Sequence, residues 1–165
     1  MLTHLYTGDG KGKSTAAAGL ALRALAQGWP VLVLRFLKGK EAGEDRLLRQ
    51  LGADVRLEPN ALPPWKRGVE DLRRDCLTLL NCIDMTRLDG GLILCDELVG
   101  ALNKGALTKE EVCDLLDCCG GRVELVLTGR NAPAWLAERC DYHTEMLAHR
   151  HPFTRGVAAR EGVEY

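Results

Sequence analysis

Three stretches of the chain are apolar at consecutive positions: "VLVLRF" (Val31 to Phe36), "LILCD" (Leu92 to Asp96) and "VELVLT" (Val123 to Thr128). A strand that alternates apolar and polar residues buries one face; a strand that is apolar throughout buries both, as in a parallel sheet covered by helices on each side. Leu2 to Tyr6, "DVRLE" from Asp54 and "YHTEML" from Tyr142 are shorter candidates for further strands. The segments between them carry a helical period. Ser14 to Gln27 is dense in alanine and leucine, both good helix formers. Between Lys66 and Arg87, the residues Val69, Leu72, Cys76, Leu79 or Leu80, and Ile83 recur at intervals of three and four, which predicts one helix with a single buried stripe. Another helix opens at Thr108, where "TKEE" sets Glu111 three residues after a threonine N-cap, the spacing of a capping box. Strands alternating with helices predict an α/β fold with three layers, a mainly parallel β-sheet flanked by helices and joined by right-handed crossovers. Ligands in such sheets gather beyond the carboxyl ends of the strands, so the strand ends carry the information about function.

A chain of 165 residues with 46% hydrophobic residues can bury one sizeable core, and a single domain over 1–165 is expected. The formal net charge of -1 gives no global pull toward nucleic acid or an anionic membrane, and neither is expected as a partner. Seven cysteines form no C-x-x-C pair, and most fall on apolar positions of predicted elements. They read as buried, reduced, structural thiols rather than as a zinc site. No signal peptide precedes the first strand and no apolar run approaches the roughly 18 residues needed to span a bilayer, so a cytoplasmic location is expected.

Chemistry enters at the end of the first strand, in "LYTGDGKGKSTAAAG". Glycines beside lysines and a Ser-Thr pair suit an anion with many oxygens, because glycine lets backbone N–H groups close on one point. The phosphate-binding P-loop pattern is G-x-x-x-x-G-K-[ST]. Reading back from Gly12-Lys13-Ser14 puts Thr7 at the first position, with Gly8 one place later. The strand before and the helix after complete the required context, so phosphates are expected on the helix N-terminus. Lys13 would reach outer phosphate oxygens, and the Ser14 hydroxyl would bind Mg²⁺. A dinucleotide loop fits less well, since Gly8-x-Gly10-x-Gly12 is not G-x-G-x-x-G and the second strand runs into "RFLKG" without an acid for a ribose.

Other strand ends add candidates. The strand "LILC" delivers Asp96 and Glu97 to the phosphate side, where one acid can bind Mg²⁺ and the other can position a water or a ligand. "LTGR" brings Thr128 and Arg130 to the same edge, and Arg130 either neutralises a phosphate or pairs with a surface acid. "PNALPPWKRG", Pro59 to Gly68, joins a strand to a helix and is the segment expected to move. Its Trp65 is either half-buried core or an indole presented to a flat apolar ligand. His143, His149 and His151 lack zinc-helix spacing and are assigned no chemistry.

"TGDGKGKSTAAAGLALRA", "FLKG", "LCDEL", "LTGR", "CDYHTEM" and the terminal "HPFTRGVAAREGVEY", in this order, closely resemble the P-loop ATP:corrinoid adenosyltransferases, nearly end to end. The resemblance implies a P-loop NTPase-like α/β domain, a homodimer, and transfer of the 5′-deoxyadenosyl group of ATP to Co(I) of a corrinoid with release of triphosphate, in adenosylcobalamin biosynthesis or salvage. It makes Thr-Gly-x-Gly-x-Gly-Lys-[ST] the family's own loop. By analogy Gly8, Asp9, Gly10, Lys11, Gly12, Lys13, Ser14, Thr15 and Arg130 hold ATP. Ser14, Asp96 and Glu97 hold Mg²⁺, and Lys13, Ser14 and Glu97 act in catalysis by stabilising charge on the leaving triphosphate. Trp65 stands where relatives press an aromatic residue under the corrin ring to displace the axial cobalt ligand. A flavoprotein reductant is implied as a partner. Pro63 replaces a phenylalanine found in some relatives, and Arg35 and Arg160 stand where glutamine is common, changes expected to touch the corrinoid. Longer relatives cover the site with an N-terminal extension, which leaves here an open site or a cover made by the C-terminal segment. The competing function is a P-loop phosphotransferase or ATPase that releases ADP, with Glu97 activating water or a hydroxyl. A third is a binding module that carries both ligands without turnover.

Overall fold

The computed structural model describes residues 1–163; Glu164 and Tyr165, the end of the terminal motif, lie outside the described residues. Its strands are β1 (Thr3–Thr7), β2 (Val31–Arg35), β3 (Asp54–Leu57), β4 (Leu92–Asp96), β5 (Glu124–Thr128) and β6 (Tyr142–Glu145). They form one sheet in the order β3-β2-β4-β5-β1-β6, and every pair is parallel. Parallel pairing requires crossovers, supplied by α1 (Lys13–Ala26), α2 (Gly43–Gln50), α3 (Val69–Leu80), α4 (Met85–Leu88), α5 (Leu98–Asn103), α6 (Lys109–Cys119) and α7 (Ala134–Glu138). The expected three-layer fold is therefore present.

The unalternated strands divide their side chains between two cores. Val31, Val33, Leu92 and Leu94 face one layer with Ala17, Ala21 and Ala24 of α1, while Leu32, Leu34, Ile93 and Cys95 face the other with α3, α5 and α6. The alanine stripe on α1 keeps that helix close to the sheet, because a methyl group is all that separates backbone from strand. Register then fixes the functional edge. Arg35 pairs with Asp96 and with Leu57, Tyr6 with Thr128, and Thr7 with Glu145, so four candidate strand ends finish at one level.

Thr108 caps α6 as its spacing predicts: its hydroxyl accepts from Glu111 N at 3.2 Å and Glu111 Oε2 accepts from Thr108 N at 2.8 Å. The single helix expected from Lys66 to Arg87 is instead three pieces, a 3₁₀ turn at Pro64–Lys66, α3 and α4. The stripe persists because Cys82 and Ile83 still pack on the core. The backbone turns, however, as Asp84 leaves helical geometry and accepts from Thr86 N at 3.0 Å to start α4. All seven cysteines are free. Burial pushes the Cys76 and Cys119 thiols up to about 12 and Cys140 to about 11, as expected of unreactive packing residues.

Candidate active site

The loop between β1 and α1 needs glycine for two separate reasons. Gly8 and Gly12 have φ of 95° and 120°, which L side chains rarely adopt. Gly8 and Gly10 also lie against the chain leaving β6, where an added Cβ would stand 2.5 and 2.6 Å from the carbonyl oxygen of Met146. That same oxygen accepts from Gly10 N at 2.7 Å, so β6 buttresses the loop. Helix α1 starts from Gly12 without a side-chain cap and without an acid in its first turn. Its free N–H groups and dipole are thus left for an external anion. The buried Lys13 ammonium donates to the carbonyl oxygens of Gly8 (2.6 Å) and Gly10 (2.8 Å). Burial, followed by the positive field of Arg130, holds its pKa below the ordinary lysine value. A bound polyanion would relieve both penalties.

Asp96 is 1% exposed, and its two oxygens are held from different sides. Oδ1 accepts from the Thr128 hydroxyl at 2.7 Å and Oδ2 from Arg35 Nη1 at 2.7 Å, and Ser14 adds a side-chain hydrogen bond. Burial opposes its ionisation, but Arg35, Ser14 and Thr128 outweigh that cost and hold the carboxyl below the usual carboxylate range. Glu97 goes the other way. Burial and the charge of Asp96 raise its pKa, while Lys13 and Arg130 pull only partly against them. Its backbone is left-handed (φ 61°) and its N–H donates to the Thr128 hydroxyl at 2.9 Å, so the strained turn aims two adjacent carboxyls differently. Ser14, Asp96 and Glu97 are thereby brought together with Lys13. Among the described residues no group of three or more His, Cys, Asp or Glu side chains makes a preformed metal cage. A hydroxyl and two carboxylates beside a phosphate loop fit Mg²⁺, which takes few protein oxygens and completes its shell with water and phosphate.

The raised pKa of Glu97 has a measurable consequence. Between the ordinary glutamate pKa and the raised folded value, the folded state holds more protons than the unfolded one, so the free protein loses stability as pH climbs through that window. Glu97→Gln should remove this loss. In thermal denaturation of the free protein, the Tm advantage of the variant over the parent should grow as pH rises through the window and then level off.

Arg35 corrects an expectation. It is fully buried, donating to Asp45 Oδ1 through Nε (2.8 Å) and Nη2 (2.5 Å) and to Asp96 through Nη1, with Glu44 at its rim. It exposes no surface to a ligand; it joins β2, α2 and the acid of β4. Asp45, which also accepts from Ala42 N at 2.9 Å, is a site-supporting residue that sequence reasoning missed. Arg160 lines a cavity with Gly10 and Lys11, beside the nucleotide loop.

Arg130 is exposed and its Nη1 lies 4.0 Å from Oδ1 of Asp9, so both stand at the mouth of the loop. A neighbouring cavity of about 480 Å³ is lined by Lys11, Ser14, Thr15, Lys38 and Gly43 on one side and by Gly162 and Val163 on the other. That volume lies in the range of small-molecule sites, roughly 300–1,000 Å³. The C-terminal segment thus supplies one wall of the site. Lys38, from "FLKG", is a second lining residue that sequence reasoning left unassigned. Trp65 is 77% exposed on the 3₁₀ turn, with Leu62 and Val69 also exposed nearby in the chain, so it is not half-buried core.

Comparison with known proteins agrees with this geometry. The whole chain, residues 1–165, matches the family described as ATP:corrinoid adenosyltransferase BtuR/CobO/CobP. It is 32% identical to a corrinoid adenosyltransferase of Pseudomonas aeruginosa over 98% of this chain and 82% of the relative. It is 34% identical to one from a Sinorhizobium species, over 96% and 78%. The corrinoid adenosyltransferase CobA of Salmonella typhimurium is 29% identical over 98% and 84%. The phosphate loop, the acids Asp96 and Glu97 at the end of β4 and these matches lead to one conclusion: the chain belongs to the ATP:corrinoid adenosyltransferase family, enzymes that transfer the adenosyl group of ATP to a corrinoid.

Proposed function

We propose that the loop from Gly8 to Thr15 grips the triphosphate of ATP, and that the reaction releases it whole. The observation that carries this reading is the uncapped, acid-free start of α1 with the buried Lys13 ammonium folded onto loop carbonyls. A triphosphate bound there would meet the free N–H groups of the helix start and the Lys13 ammonium together. Cobalt(I) attacks C5′ with its electron pair, the cobalt–carbon bond forms, and the C5′–O bond breaks with its pair going to the triphosphate. Lys13, Arg130 and the helix N–H groups stabilise the charge gathering on that leaving group. Ser14, Asp96 and Glu97 would hold Mg²⁺, which would supply further neutralisation of the triphosphate. The cobalt is the nucleophile, so Glu97 need not act as a base.

Inorganic triphosphate tests this reading. It should inhibit competitively against ATP, and more strongly than pyrophosphate, because all three of its phosphates have contacts in the loop. Inhibition by pyrophosphate that equals or exceeds that of triphosphate would count against it.

The exposed indole of Trp65 is the proposed contact with the corrin face. Trp65→Ala should leave turnover of chemically reduced Co(I) corrinoid near the parent rate and lower turnover from Co(II) corrinoid plus reductant by more than tenfold, on the order of the 2 kcal/mol that a contact aromatic contributes. Comparable losses in both assays would assign Trp65 to simple binding. We further propose a homodimer, supported by the exposed Leu22 on α1 and Leu47 and Leu51 at the end of α2. A cytoplasmic setting and electrons from a flavoprotein complete the proposal; no described helix is long and apolar enough to cross a membrane.

A further inference from the structure

The exposed Trp65 segment is tied to the interior by a buried arginine two residues later. Arg67 has a side chain 1% exposed, and it donates through Nη1 to Glu58 Oε2 and through Nη2 to Asp75 Oδ2, each at 2.6 Å. Nη2 also donates to the carbonyl of Asp71 at 2.9 Å. One guanidinium therefore joins the end of β3, the end of the Trp65 turn and the first two turns of α3. Glu58, itself fully buried at its side chain, passes the connection on: Oε1 accepts from Leu37 N at 2.6 Å. Leu37 takes a left-handed backbone (φ 55°) and leads directly into Lys38, which lines the nucleotide cavity. The two loops also touch, since a Cβ on Gly39 would stand 2.1 Å from the carbonyl oxygen of Asn60.

Burying a guanidinium between two carboxylates adds little net stability over apolar packing, because desolvation cancels most of the attraction. What the planar fork does provide is direction, as it satisfies two acids only in one arrangement. We propose that Arg67 is a positioning residue for the known reaction: it fixes the Trp65 turn against the Leu37–Lys38 corner and so sets the distance between the corrinoid face and the nucleotide. The proposal rests on the reading of Trp65 as a corrinoid contact.

The test uses Glu58→Gln/Arg67→Gln/Asp75→Asn, which removes the ionic clamp without leaving a buried charge alone, and Arg67→Lys, which keeps the charge and loses the fork. Two readouts are needed. Trypsin cleavage after the exposed Lys66 should be slow in the folded parent, at least tenfold faster in the triple variant and intermediate in Arg67→Lys. The corrinoid KM measured with Co(II) corrinoid plus reductant should rise at least tenfold in the triple variant, with the ATP KM and the turnover of chemically reduced Co(I) corrinoid held within threefold. Equal loss of affinity for both substrates, or a lowered Tm with the corrinoid KM unchanged, would reduce Arg67 to a structural residue and overturn the proposal. Unchanged cleavage at Lys66 would overturn it independently of any assay with corrinoid. If cleavage accelerates while Trp65→Ala itself leaves corrinoid kinetics untouched, the clamp stands as a tether and the reading of Trp65 is what fails, taking the positioning role with it.

Discussion

Arg35→Met is expected to destabilise the protein by about 3–5 kcal/mol, the usual cost of removing one partner from a buried ion pair. The loss comes less from the contacts than from what stays behind: the carboxyls of Asp45 at 0% and Asp96 at 1% exposure, without their guanidinium. For a chain of this length each kcal/mol moves Tm by about 2–4 °C, so the fall should be on the order of 10 °C. Asp45→Asn in the same background should recover part of it, because one of the two stranded carboxyls is then gone. The effect also depends on pH. With Arg35 present, the pKa of Asp96 is held below its ordinary value, so its stabilisation is in force above the ordinary carboxyl pKa and is lost as pH falls through the folded value. Without Arg35 the burial of Asp96 is opposed only by the Ser14 and Thr128 hydrogen bonds and the charge of Lys38. The gap between parent and variant should therefore narrow in acid, and denaturation curves at several pH values would show it.

Lys13→Ala should produce the largest loss of activity, about 10²–10³-fold in kcat, the scale seen when one preorganised donor to a developing oxyanion is removed. The lysine is buried and its ammonium sits between the carbonyls of Gly8 and Gly10. Lys11, exposed on the same loop, is the internal control. Lys11→Ala should cost far less, since a solvated ammonium loses most of its attraction to water and salt. Steady-state kinetics on both variants separate the roles: a fall in kcat assigns Lys13 to the leaving group, whereas a rise confined to the KM for ATP assigns it to uniform binding.

The centre of the sheet was legible because β2, β4 and β5 are apolar at nearly every position, a pattern that parallel strands between two helical layers produce and few other arrangements do. The phosphate loop was legible from its spacing and its place between a strand and a helix, while Thr7 in place of glycine was accounted for only by the resemblance to the family. The two buried arginine clusters were not. Arg35 is 61 residues from Asp96 and 10 from Asp45, so nothing local marks them as partners. An arginine at the end of an apolar strand reads as a residue emerging toward a ligand. Here it turns inward because two acids from other elements meet it there. The interval from Lys66 to Arg87 misled for a related reason, as apolar spacing records which residues face the core and says nothing about where hydrogen bonding between turns stops. Trp65 could not be placed from sequence because an indole serves core and surface equally well; only the clamp on either side of its turn leaves it outside.

Intact release of triphosphate is the central claim, and one anaerobic experiment tests it directly. The protein is mixed with Mg-ATP and a chemically reduced Co(I) corrinoid, the corrinoid spectrum is followed, and the phosphate products are identified by ³¹P NMR. Triphosphate appearing in step with a light-sensitive alkylcorrinoid is the predicted result. ADP and orthophosphate appearing instead, with no cobalt–carbon bond formed, would contradict it.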